Sequence, residues 1–362
     1  MASCNIYDSV SVDRLRAEFR IEPRKIRRLR TAFFKKSLGP EAALAEIPAE
    51  VRPAVRQQLK FRTLTVEKRY DSKLDGATKV LFRTTQGYLV ETVILRSGSG
   101  RTSLCVSSQV GCTANCEFCA TGKMGMAHDL SAAEMLDQIV VAGELLAEEG
   151  RRVRNIVFMG MGEPFHNEPS LYETVSALLD PRLFHYAPGR ILISSVGIPA
   201  AMIRAAGRFP EVHLALSLHS ACQDFRQQII PLAARYSLAE LREAVERINQ
   251  IQRCSVMIEY LMLAGRNDSA DDAHRRVEWR KGLRVHVNLI PFNPVREAPH
   301  LKSTDRAGRD AFATILKSSG YTTTIRYSLG ADIAAACGQL VQQKNRKIAR
   351  ANQPIEVVKP FG

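Results

Sequence analysis

Arg154-Asn155-Ile156-Val157-Phe158 runs without a break into Met159-Gly160-Met161-Gly162-Glu163-Pro164, so a short apolar strand, read over 154–159, ends in a glycine-rich turn. A brief apolar run bounded by turn residues is the signature of a strand buried on both faces, as in a parallel sheet. Amphipathic stretches flank it, with helices expected over 131–149 and 169–179. The same rhythm continues toward the C-terminus: strand 190–194, helix 199–207, strand 212–217, helix 237–251, strand 255–262, helix 270–281, strand 283–290, helix 305–318 and strand 322–327. Such alternation predicts an α/β fold, a parallel sheet with crossover helices, and six or seven units predict a partial (β/α) barrel. In these folds ligands gather at the C-terminal ends of the strands, so the loops that follow the strands are where chemistry is expected.

Toward the N-terminus, Lys79 to Leu95 is rich in β-branched and aromatic residues around a turn at Gln86-Gly87, a β-hairpin pattern, and Ser97-Gly98-Ser99-Gly100 reads as a linker. The first seventy or so residues lack strand alternation and are cut by Pro23, Pro40, Pro48 and Pro53 into short helices. The expected organisation is therefore a basic helical accessory domain over 1–75, a hairpin extension over 76–97, a partial barrel over 98–332 and a C-terminal segment over 333–362.

The formal net charge of +14 and the pI near 9.6 favour a polyanionic partner. Residues 1–36 hold ten Lys or Arg against four Asp or Glu, with Arg24, Lys25, Arg27, Arg28 and Arg30 in one run, so the N-terminal domain is where a polyanion, RNA, DNA or an anionic membrane, would be met. With no long apolar run and no signal-peptide pattern, a cytoplasmic protein without membrane contact is expected. Eight cysteines in such a chain are expected to include metal ligands or reactive thiols rather than a disulfide scaffold.

Four of them, Cys105, Cys112, Cys116 and Cys119, crowd into fifteen residues. Cys112-Thr113-Ala114-Asn115-Cys116-Glu117-Phe118-Cys119 can wrap one soft metal centre, and no second cysteine pair stands at the spacing a closed zinc site needs. Three thiolates suit a [4Fe–4S] cluster, binding three irons and leaving the fourth open. The glycines of 160–162 let a backbone approach a ligand, and Glu163 can accept from an ammonium group. Ser194, Ser217-Leu218-His219 and Asn293 each close a strand at the expected barrel mouth.

The Cys-x3-Cys-x-Phe-Cys run resembles the signature of the radical S-adenosylmethionine (SAM) superfamily. A fuller likeness is to the RlmN/Cfr methyltransferases of large-subunit rRNA. It is carried by Leu104 to Cys112, Phe158 to Pro164, Ser217-Leu218-His219, Val287 to Pro294, and Gly330-Ala331-Asp332-Ile333-Ala334-Ala335-Ala336-Cys337-Gly338-Gln339-Leu340. The resemblance implies a cluster on Cys112, Cys116 and Cys119, with SAM contacted by Gly162, Glu163, Ser194, Ser217, Leu218, His219 and Asn293. It further implies that Cys337 is methylated by a first SAM, that a radical derived from a second SAM activates that methyl group for addition to an adenine carbon, and that Cys105 resolves the adduct through a transient disulfide.

Glu91 matches the family's proton acceptor. On the strand Leu89 to Leu95 it shares a face with Leu89, Val93 and Leu95, where a carboxylate is disfavoured unless it is paired or used as a base. Two SAM molecules per turnover, an external electron donor, rRNA and in some members tRNA as substrate, and a monomeric state follow as expectations. C2 and C8 of adenine both remain open, as do another radical SAM RNA-modifying activity and a non-catalytic, zinc-stabilised RNA-binding protein. Cys4, Cys222 and Cys254 match no motif.

Overall fold

The computed structural model describes residues 4–340 and 344–345. At the N-terminus a short parallel pair, β1 (Cys4–Asn5) and β2 (Leu59–Lys60), ties together α1 (Ser9–Glu18), α2 (Pro23–Arg30), α3 (Gly39–Leu44) and α4 (Arg52–Gln58). Asp8 caps α1 through the Val10 and Ser11 amides, and prolines at the first turns of α2, α3 and α4 start helices where their missing N–H costs nothing. A π-helical turn, Thr31–Lys35, continues α2 and buries Phe33 and Phe34.

Four antiparallel strands follow, β3 (Thr65–Asp71), β4 (Ala77–Arg83), β5 (Leu89–Arg96) and β6 (Thr102–Cys105). A two-stranded ribbon, β7 (Gln109–Gly111) and β8 (Met126–Asp129), then brackets the cysteine loop. The alternating part comprises α5 (Ala132–Glu148), β9 (Asn155–Phe158), α6 (Glu168–Leu179), β10 (Ile191–Ser195), α7 (Pro199–Arg208) and β11 (His213–Ser217). It continues through α8 (Gln223–Ile229), α9 (Leu238–Ile251), β12 (Val256–Met262), α10 (Ala270–Trp279), β13 (Val285–Pro291), α11 (Arg306–Ser318) and β14 (Thr323–Ile325).

These strands form one ten-stranded sheet in the order β14-β13-β12-β11-β10-β9-β6-β5-β4-β3. From β6 to β14 every pairing is parallel, which makes the partial barrel of seven strands; β3 and β14 are its unjoined edges, so the sheet does not close. Capping boxes at Ser131/Glu134, Ser237/Glu240 and Ser269/Asp272 start the crossover helices α5, α9 and α10.

Two readings of the sequence need correction. Residues 65–71, placed within the helical segment 1–75, form β3; its residues are almost all exposed, so no buried alternation marked it, and pairing with β4 makes it a strand. The hairpin β4–β5 extends the barrel sheet through β6. Arg30, counted in the basic run, is 6% exposed, whereas Arg24, Arg27 and Arg28 face solvent. Of the segment 333–362, everything beyond Leu340 except residues 344–345 lies outside the described residues.

One hydrophobic core runs from the N-terminal helices into the barrel, joining Ile26, Leu29, Phe33 and Phe34 to Leu136, Ile139 and Val140 of α5. Phe34 meets Phe184 at 4.8 Å and Phe33 meets Phe61 at 5.1 Å between ring centroids. At this seam Asp137 of α5, fully buried, accepts from the Tyr7 hydroxyl (2.6 Å), the Leu64 amide (2.7 Å), the Thr63 hydroxyl (2.8 Å) and the Thr63 amide. No helix among the described residues is long and apolar enough to cross a membrane.

Candidate active site

Inside the curved sheet lies a cavity of about 930 Å³, lined by residues from β6, β9 to β14 and the C-terminal segment. This is at the upper end of the ~300–1,000 Å³ usual for ligand pockets.

The cysteine loop forms one wall. Gly111 (φ +99°) and the Gly125 carbonyl approach so closely that an added Cβ would stand 1.8 Å from that oxygen, so only glycine permits this start to the loop. The Cys112 amide bonds the Gly125 carbonyl (3.0 Å) and the Glu117 amide bonds that of Ile229 (2.9 Å). Cys112 and Cys116 are 9% and 6% exposed, and all three thiols share an apolar cluster with Ile229, Ile230, Leu261 and Phe292. Desolvation first, and then the charge of neighbouring cysteines, pushes the Cys112 and Cys116 thiols far up, so as thiolates they need a cation to neutralise them. Among the described residues no three His, Cys, Asp or Glu side chains converge on a single-ion position. Three clustered soft donors on one loop fit a [4Fe–4S] cluster with one open iron.

The glycine-rich turn after β9 packs against residues 106–109. A Cβ on Gly160 would meet the Ser107 amide nitrogen at 2.7 Å, and one on Gly162 (φ +101°) would meet the Gln109 side chain at 2.6 Å. The glycines thus serve loop-on-loop packing, and Gly160, Gly162 and Glu163 also line the cavity. That packing buries Glu163 to 2% exposure; its Oε2 accepts from the Val196 amide (2.9 Å) and its Oε1 from Phe165 (3.1 Å), while desolvation raises its pKa to about 7.

Ser194, Ser217 and His219 line the cavity. His219 sits in the left-handed region (φ +57°), accepts the Leu261 amide on Nδ1 (3.0 Å), and meets Phe118 of the cysteine loop edge-on at 4.9 Å. Burial, helped by Arg226 and Arg276, lowers its pKa to about 3, so it is a neutral imidazole. Leu218 and Asn293 are not among the lining residues. Leu218 is fully buried in the main core, and its carbonyl accepts from Arg226 Nε (3.1 Å). Asn293 instead holds the C-terminal segment, donating to Ser328 Oγ (2.9 Å) and to the Cys337 carbonyl (3.1 Å).

Cys337 stands in a turn rather than a helix, at the cavity wall. Its segment is laced onto the cysteine loop: the Ala120 amide bonds the Gly338 carbonyl (2.8 Å) and Thr121 Oγ1 bonds that of Leu340 (2.6 Å). Cys105, at the end of β6, lines the same cavity; both are free thiols, and each is close enough to Arg326 to feel its charge. Desolvation pushes Cys105 up to about 12, and the charge of Cys337 contributes to that rise; Cys337 itself is exposed. Glu91 is fully buried on β5 but is not among the lining residues; it pairs with Lys79 Nζ (3.0 Å), which also donates to the Ala334 carbonyl (3.1 Å) three residues before Cys337. The expected carboxylate thus has a buried lysine beside it.

Sequence reasoning passed over Arg226, Glu259, Asn288 and Arg326. Arg226, fully buried, joins the Leu218 and Val196 carbonyls and so steadies the loop whose amide Glu163 uses. Glu259 was findable by the logic applied to Glu91, a lone carboxylate in an apolar strand. Arg326 carried no such signal.

A radical SAM superfamily model matches residues 106–277. Over 348 residues the chain is 51% identical to a Rhodopirellula baltica protein named "Probable RNA methyltransferase", covering 96% of this chain and 90% of that one. It is 39% identical over 311 residues to a Thermus thermophilus protein named "Probable dual-specificity RNA methyltransferase RlmN", covering 86% and 87%. A crystal structure of a radical SAM methyltransferase from Sphaerobacter thermophilus superposes with a TM-score of 0.86 at 35% identity, covering 94% of this chain and 99% of that one.

Proposed function

The chain belongs to the RlmN-type radical SAM RNA methyltransferases, and on that premise we propose that it methylates a ring carbon, C2 or C8, of an adenine in large-subunit rRNA. Transfer RNA is a second substrate class in this reading, and the dual specificity in its relatives' names is compatible with that. Membership in an RNA methyltransferase family sets the non-catalytic zinc protein aside. The family's chemistry requires a [4Fe–4S] cluster and SAM; when bound, they supply a carbon-centred radical and the methyl group.

This chain's own residues do the rest. Cys112, Cys116 and Cys119 hold the cluster; Glu163, Ser194, Ser217 and His219 orient SAM. Cys337 accepts the first methyl group as a thioether, from which hydrogen is abstracted before the carbon adds to the ring. One electron, which the cluster would accept when bound, and the ring proton, passed to Glu91 behind the cavity wall, leave the adduct. The Cys105 thiolate then attacks the Cys337 sulfur, the S–CH2 bond breaks as the disulfide forms, and a proton returned to the released carbon completes the methyl group. Two SAM molecules are used per turnover, an external donor supplies electrons, and the enzyme works as a monomer in the cytoplasm. The observation that carries this reading is that Cys105 and Cys337, 232 positions apart in the chain, line one cavity with the cysteine loop.

The test is anaerobic incubation of reconstituted protein with reductant, an rRNA fragment and SAM bearing a trideuterated methyl group, followed by nucleoside mass spectrometry. The expected product is a methyladenosine that has lost one deuterium, its 2- or 8-isomer identifying the carbon. An intact trideuteromethyl product would mean direct polar transfer and overturn the mechanism. Cys337→Ala is expected to abolish the product and Cys105→Ala to leave RNA covalently attached to protein.

A further inference from the structure

Across the inner face of the barrel, four adjacent strands present polar side chains at one register: Ser217 of β11 pairs with Glu259 of β12, Glu259 with Asn288 of β13, and Asn288 with Thr324 of β14. All four line the cavity. Three of them are already linked, since Asn288 Nδ2 donates to Glu259 Oε2 (2.8 Å) and Thr324 Oγ1 donates to Asn288 Oδ1 (3.1 Å). The amide of Asn288 is therefore fixed in one sense, and with it the Glu259 carboxylate. Glu259 is 2% exposed, and its second oxygen, Oε1, accepts no hydrogen bond among the described residues. A buried carboxylate oxygen without a donor is costly and persists where something else supplies the donor.

The surroundings say what that donor belongs to. Arg326 lies within electrostatic reach of Glu259, and so does Cys337, which places the carboxylate on the side of the cavity where the methyl-carrying thiol stands. Part of the lining is apolar, formed by Val157, Leu192, Met159 and Met257 together with Cys105. A cavity with an apolar lining, an acceptor in its polar row and a guanidinium within electrostatic reach of that acceptor suits a flat heterocycle whose edge carries an amino donor next to a ring-nitrogen acceptor. Carboxylate accepts only and guanidinium donates only, so the pair reads donor and acceptor in that order. Adenine presents this edge; hypoxanthine presents the opposite one, a carbonyl oxygen next to an N–H.

We propose that Glu259, held by Asn288, is the specificity-determining acceptor for the exocyclic amino group of the target adenine, with Arg326 donating to the ring nitrogen beside it. This rests on the reading that an RNA adenine is the substrate.

The experiment measures binding of one rRNA fragment, carrying either adenosine or inosine at the target position, to reconstituted wild type and to Glu259→Gln. The glutamine keeps the shape and an acceptor for Asn288 but can turn an amide N–H to a carbonyl oxygen. Wild type is expected to prefer adenosine by about ten- to hundredfold, and E259Q to lose at least about tenfold of that preference. SAM affinity, measured on the same proteins by equilibrium dialysis, is expected to change less than about twofold. An unchanged adenosine-to-inosine ratio in E259Q overturns the proposal. So does a tenfold loss of SAM affinity at an unchanged ratio, which would assign the carboxylate to the cofactor's ribose. Because binding needs no turnover, discrimination by a wild-type protein that forms no methyladenosine would sustain the recognition role while refuting the proposed reaction.

Discussion

Replacing Asp137 by alanine tests how the N-terminal helices are held to the barrel. The substitution strands the buried Leu64 amide, the Thr63 amide and the Tyr7 hydroxyl; the half-buried Thr63 hydroxyl can turn to water. A stranded buried donor costs about 1–3 kcal/mol, and the low end applies where the smaller side chain admits a water, so the three together lose roughly 3–5 kcal/mol. Against this, alanine removes a buried carboxylate whose pKa desolvation raises, a sign that its charge is itself held at some cost. The donors outnumber that refund, leaving a net loss of about 2–4 kcal/mol at the seam. Since every 1.4 kcal/mol is a factor of ten, native-state hydrogen exchange of the Leu64 amide should quicken by about thirty- to a thousandfold. Tyr7→Phe deletes one bond and should cost only ~1 kcal/mol. Exchange in Asp137→Ala within threefold of wild type, or a Tyr7→Phe effect as large, would refute the claim that this carboxylate organises the seam.

Neutralising Arg24, Arg27 and Arg28 together should weaken RNA binding and reduce the slope of log affinity against log salt. Each phosphate contact is worth roughly 0.7–0.9 of slope, but Arg24 and Arg28 already face Glu22 and Glu46, so a drop of about one to two is expected. Unchanged binding across a salt series would remove this face from the RNA interface. His219, lowered to about 3 in the fold, makes stability sensitive to acid: between its ordinary value of 6.5 and about 3 the unfolded chain holds a proton that the folded one lacks. Stability attributable to it is therefore complete above pH 6.5 and falls as pH drops, by up to ~1.4 kcal/mol per unit. In urea melts, His219→Asn, which tolerates the left-handed backbone, should lose less stability than wild type from pH 7 to pH 5; parallel losses would show that the imidazole does not enter the fold uncharged.

The strand–helix rhythm after Ser131 was legible because each central strand is buried on both faces and the crossover helices carry amphipathic stripes, several with their own caps. Ser131, Ser237 and Ser269 mark helix starts with no help from the rest of the chain. Strand β3, nearly all exposed, and the seven-residue α8 lacked both kinds of signal. The cysteine loop was legible because three ligands of one centre must lie close along the chain when one loop holds them.

By itself, then, the sequence determined what local spacing controls: the alternation, the caps, the three-thiol loop and the positive charge. Tertiary structure decided what depends on register and on partners distant in the chain. It set Lys79 beside Glu91, packed the Leu218 side chain into the core, and bonded Asn293 to the Cys337 segment. It also aligned Glu259, Asn288 and Thr324 on adjacent strands. The reason is physical: a strand's period of two says that alternate residues share a face, while the register of its neighbours decides which side chains meet there.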